Sequence, residues 1–88
     1  MFLGWFDADK TIKASQKMRD AINRYKEKFG SAPEVCLTSV VDANEIISMA
    51  TDLHLLDKLD VDVRGVAFIP RYTFYVGVED KPDEYMGG

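Results

Sequence analysis

The stretch Glu34-Val35-Cys36-Leu37-Thr38-Ser39-Val40-Val41-Asp42-Ala43-Asn44-Glu45 decides how the rest of the chain is read. From Glu34 to Val41 it is apolar at consecutive positions, Val35-Cys36-Leu37 and Val40-Val41. A strand of that composition is buried on both sides, as in the middle of a sheet. The end of the stretch has the spacing of a helix start. The Asp42 carboxylate reaches the backbone N–H of Glu45, and the Glu45 side chain reaches back. A buried strand running straight into a helix is the building step of α/β architecture.

Working downstream, the helix is expected from Ala43 to about Leu56 or Lys58, burying Ile46, Ile47, Ala50, Leu53 and Leu56. Val61 to Ile69 reads as a strand with a bend at Gly65, and Pro70-Arg71 as a turn. Thr73 to Val78 alternates, with Phe74, Val76 and Val78 on one side. Upstream, Gly30 and Pro33 punctuate the end of a helix running from about Asp9 to Phe29. Ala14, Met18, Ala21, Ile22, Tyr25 and Phe29 share its apolar face, and Asp7 or Asp9 is placed to cap it. Phe2 to Phe6 is aromatic and too short for a helix, hence a strand.

The expected fold class is therefore α/β: a single small domain of order β-α-β-α-β-β, with one mixed sheet of three or four strands, two helices and a C-terminal β-hairpin. Right-handed crossovers make the first three strands parallel, and the hairpin adds the antiparallel one. Residues 1–78 are expected to form the domain and 79–88 a flexible, acidic tail ending in Gly87-Gly88.

Composition narrows the function. A chain of 88 residues holds one core. The 47% hydrophobic and 30% charged content is that of a globular domain. No apolar run approaches the roughly 18 residues of a membrane span. Met1-Phe2-Leu3, cut by Gly4 and followed by Asp7, lacks the basic flank of a signal peptide. The single cysteine, Cys36, excludes an internal disulfide and a zinc site of several cysteines, and fits a cytoplasmic protein. The net charge of −4 and pI of about 4.8 discourage wholesale nucleic-acid binding. The charge is unevenly spread. Between Ala8 and Phe29 seven basic side chains accompany three acidic ones, whereas from Gly30 onward four basic accompany eleven acidic.

Five features are candidates for chemistry or contact. Lys10, Lys13, Lys17, Arg24 and Lys28 share one flank of the first helix and could hold phosphates by charge, although the solvated side of any amphipathic helix is polar. Arg64-Gly65-Val66-Ala67-Phe68-Ile69 resembles the RNP1 motif of RNA-recognition domains, whose spaced aromatics stack on bases. It departs at Val66 and Arg71, where stacking aromatics belong, and only Phe68 remains. Asp52, His54, Asp57, Asp60 and Asp62 bring a histidine near carboxylates, at a spacing that matches no established metal signature. Gly87-Gly88 is similar to the end of ubiquitin-like modifiers, whose fold opens with a hairpin rather than one strand and a long helix.

The fifth feature is aromatic. Phe68, Tyr72, Phe74 and Tyr75 cluster late in the chain. Two helices cover one face of a four-stranded sheet and leave the other bare. Phe74 is expected to face the helices and Tyr75 the bare side, with Phe68, Ile69, Tyr72 and Tyr75 as interface candidates. No phosphate-binding loop, nucleophile elbow or His-Glu metal motif occurs. The leading expectation is a non-enzymatic protein–protein contact module, a homodimer or a partner of another protein, with no cofactor and no membrane. The alternatives are a nucleic-acid-associated factor using the basic stripe, and a small enzyme or metal-binding protein around His54.

Overall fold

The order of elements is β1 (Phe2–Phe6), α1 (Ala14–Phe29), β2 (Val35–Thr38), α2 (Val40–Asp52), β3 (Asp62–Gly65) and β4 (Thr73–Gly77). They are seen in a computed structural model that describes residues 1–54 and 59–79. The second helix ends at Asp52, short of the expected Leu56 or Lys58, because Leu53 caps it and His54 turns to a positive φ; Asp57, and the tail from residue 80 with Gly87-Gly88, lie outside the described residues.

The four strands form one mixed sheet in the order β1-β4-β2-β3. β2 and β3 are parallel, and β4 is antiparallel to both of its neighbours. β1, β2 and β3 therefore run the same way, as the helical crossovers demand. The C-terminal hairpin, however, does not form. β4 inserts between β1 and β2, and β3 takes the far edge. The reason lies in the connection. β3 ends at Gly65 rather than Ile69, so residues 66–72 are loop rather than a tight turn. That length carries the chain across the end of β2, where Val66 N–H donates to the Thr38 carbonyl at 2.8 Å. Composition agrees with the order: Phe74 and Val76 need burial, whereas Asp62 and Arg64 tolerate an edge.

α1 is held by the stripe Ala14, Met18, Ala21 and Tyr25, all buried, with Ile22 and Phe29 half-buried beside it. The Phe29 ring packs 4.6 Å from that of Tyr25. The helix stops at Gly30, whose φ of 77° suits glycine and whose N–H closes on the Lys26 carbonyl at 2.8 Å. Its start differs from expectation. Asp9 accepts from the N–H and hydroxyl of Thr11, at 2.9 and 2.6 Å, and Asp7 accepts from Asp9 N–H. These side-chain turns hold residues 7–12 out of the helix, so Lys10 precedes it.

α2 also starts elsewhere. Ser39, not Asp42, is the N-cap: its hydroxyl oxygen accepts from Asp42 N–H at 3.0 Å. Ala43, Ile46 and Ala50 form its buried stripe, while Ile47 and Leu53, expected inside, are exposed. Both helices pack on one face of the sheet. There Leu3, Trp5, Cys36, Val63, Phe74 and Val76 join Met18, Ala21 and Ile46 in one cluster. No helix among the described residues is long and apolar enough to cross a membrane.

Candidate interaction surface

Alternation within the strands decides what the second sheet face shows. Pairing sets Phe2 against Gly77, Gly4 against Tyr75 and Phe6 against Thr73, and Tyr75 in turn against Leu37. These positions point away from the helices. Phe6 is 67% exposed, Tyr75 40% and Phe2 36%. The same face changes character across the sheet. On β3 it carries Arg64, whose guanidinium bridges Asp62 at 2.8 Å and Glu79 at 3.0 Å. One half of the open face is thus aromatic and uncharged, and the other half is ionic.

Of the interface candidates, Tyr75 stands on this open face and Phe68, 86% exposed, stands on the loop before β4. Ile69 is buried within the protomer, and its N–H closes a turn on the Val66 carbonyl. Tyr72 is half-buried at the end of the sheet. Phe2 and Phe6 were not among the candidates. Their signal was present: in Phe2–Phe6 the alternate positions Phe2 and Phe6 flank Gly4, while Leu3 and Trp5 take the other side.

The loops at one end of the sheet are pinned by two buried charges. Asp42 is 1% exposed. Its Oδ1 accepts from Arg71 Nε at 3.1 Å and Nη2 at 3.0 Å, and its Oδ2 from Tyr72 N–H at 2.8 Å and the Ser39 hydroxyl at 2.7 Å. Burial alone would raise its pKa, but the Tyr72 N–H, Ser39 and Arg71 outweigh it and hold the carboxyl below its usual range. The Tyr72 N–H bond also anchors a backbone with φ of 68°, an unfavourable value for a tyrosine. Lys17, 1% exposed, donates to the Asp7 carbonyl at 2.7 Å and sits 4.0 Å from the Tyr72 ring centre. Every bond in this cluster is spent on the protein's own loops, which identifies it as a structural clasp.

Lys17 thereby leaves the basic stripe. Lys10 lies before the helix, Lys13 is its exposed N-cap, Arg24 pairs with Glu27 at 3.6 Å, and Lys28 lies over the Phe29 ring. What remains is a scattered set of surface charges. His54 is exposed just past α2 with φ of 57°. Among the described residues no group of three or more His, Cys, Asp or Glu could hold a metal. The Arg64–Ile69 segment does not form a continuous strand, so Phe68 is not displayed on the sheet as RNP1 would require.

Two further features complete the inventory. A groove of about 380 Å³ runs between α1 and α2, with Met18, Ile22, Ile46, Met49 and Leu53 among its walls and Arg19, Lys26 and Asp60 beside them. Cys36 is a free thiol in the core, and burial pushes its pKa up to about 12, so it stays protonated at neutral pH and has no exposed surface from which to react. No protein-family model, curated protein or solved structure matches this chain.

Proposed function

We propose that this chain is a protein–protein contact module, without chemistry of its own, that assembles with a second copy of itself. The observation that supports the reading is the polarised open face: Phe2, Phe6 and Tyr75 are exposed together on the β1 side, away from the ionic β3 side. Aromatic residues gathered on one uncharged patch favour burial against a partner. The single buried cysteine leads us to propose a cytoplasmic location. The nucleic-acid alternative rests on the basic stripe, and burial of Lys17 removes the centre of that stripe.

Sedimentation velocity over roughly 10 μM to 1 mM tests the proposal, the range in which small interfaces associate. The wild type should shift from monomer toward dimer with concentration. Tyr75→Glu should stay monomeric with an unchanged circular dichroism spectrum, because a charge is tolerated in water and not in a dry contact. A wild type that remains monomeric at the highest concentration would remove self-assembly as the function.

A further inference from the structure

The two edges of the sheet are unlike. The β3 edge is short and carries Asp62 and Arg64, charges that deter another strand. The β1 edge is Phe-Leu-Gly-Trp-Phe, without charge, proline or bulge. Its hydrogen-bonding direction follows from the ladder. Met1 exchanges bonds with Val78 at 3.1 and 3.2 Å, and Asp7 N–H donates to the Tyr72 carbonyl at 3.1 Å. Antiparallel alternation puts Leu3 and Trp5 in the same bonded set. The N–H and C=O groups of Phe2, Gly4 and Phe6 therefore point outward, away from β4, and among the described residues nothing pairs with them.

Resting on the self-assembly reading, we propose that two copies join through their β1 edges, antiparallel, about a two-fold axis at Gly4, making one continuous sheet. In this register Gly4 exchanges backbone bonds with Gly4 of the second copy, and Phe2 exchanges them with Phe6 of the second copy. All three outward residues are satisfied by one symmetric operation, which is the self-complementarity a two-fold interface requires. On the open face Phe2 then lies beside Phe6 of the second copy, an aromatic cross-strand pair on each side of the axis. Tyr75 leans over Gly4 beside that axis.

The register and the uncharged edge favour a second copy as the occupant. An uncharged strand is the complement of an uncharged strand. Edge pairing leaves the open face open and covers only the flanks of Phe2 and Phe6, a part of the roughly 200 Å² that each ring carries. With the strand edges added, this places the dimer below the ~1,200 Å² of a stable complex, in the weak and reversible class.

The register supplies the test. Phe2→Lys/Phe6→Lys sets lysine against lysine across the axis, and should weaken dimerisation about tenfold or more in sedimentation. Phe2→Glu/Phe6→Lys sets glutamate against lysine, and should restore a dimer that raised salt now weakens. The wild-type dimer should persist at about 0.5 M salt, where exposed charges are screened. Both variants alter exposed side chains, and circular dichroism confirms that each is folded. A wild-type dimer that survives Phe2→Lys/Phe6→Lys but is lost in Tyr75→Glu overturns edge pairing and leaves self-assembly through the face standing. Equal association of the two double variants also overturns it. A wild type that never dimerises overturns both.

Discussion

Tyr75 lies directly across the β1–β4 ladder from Gly4, and its Cε1 stands 3.1 Å from where a β-carbon on Gly4 would be. The ring leans into the space that the missing side chain leaves, flanking an edge-strand glycine that is itself exposed. Tyr75 is partly open to solvent and has room to move.

Gly4 and Gly77 should therefore respond differently to alanine. Gly4→Ala asks a half-exposed ring to shift by a few tenths of an ångström, and the better strand propensity offsets that. Its effect on the urea midpoint should stay within about 0.5 kcal/mol. A β-carbon on Gly77 would run into the Met1 carbonyl oxygen and come within 2.8 Å of Phe2 Cα. This is backbone that cannot turn aside, so Gly77→Ala should cost about 2 kcal/mol or more and loosen β1. Equal effects of the two substitutions would contradict the packing described.

Asp42 ties the start of α2 to the loop before β4. Asp42→Ala should cost about 3 kcal/mol, since it strands Arg71, the Tyr72 N–H and the Ser39 hydroxyl together. The folded-state pKa of this carboxyl lies below its unfolded value. Its contribution is therefore complete above the unfolded pKa of about 3.9 and is lost as pH falls through the folded value. Urea midpoints measured from about pH 5 down to pH 3 should decline in the wild type and decline less in Asp42→Asn.

Cys36 reports on the whole fold. With its pKa near 12 and no exposed surface, the thiol should not react with a disulfide reagent at neutral pH while the core is closed. Labelling should proceed only through unfolding, and should accelerate in Gly77→Ala in step with lost stability. Fast labelling of the native wild type would show that the sheet centre opens locally.

Local chemistry was legible where neighbours in sequence decide the outcome. The stop at Gly30 and the alternation of Phe74, Tyr75 and Val76 needed only adjacent residues. Two overlapping cap signals compete around residue 40, Ser39 with Asp42 and Asp42 with Glu45. The first prevails because Asp42 is also required by Arg71 and Tyr72, some thirty residues away. Lys17 was read as surface charge for the same reason: its partners, the Asp7 carbonyl and the Tyr72 ring, come from other elements. Strand order was the least legible, since a loop over residues 66–72 fits a hairpin or a crossing of one strand equally well. The aromatic half of the open face was visible in Tyr75 but not in Phe2 and Phe6, because their exposure depends on β1 lying at an edge.

The central position of β4 governs the timing of folding. Among the described residues the strand that joins β1 to β2 is the last in sequence, and Met1 finds its partner 77 residues later. The elements up to residue 60 comprise two helices and the parallel pair's first member, but nothing on which β1 can zip. Until Thr73–Gly77 is in place, β1 has no partner and the sheet cannot close. Such distant pairing makes the slow step the search for a long-range contact rather than the growth of either helix.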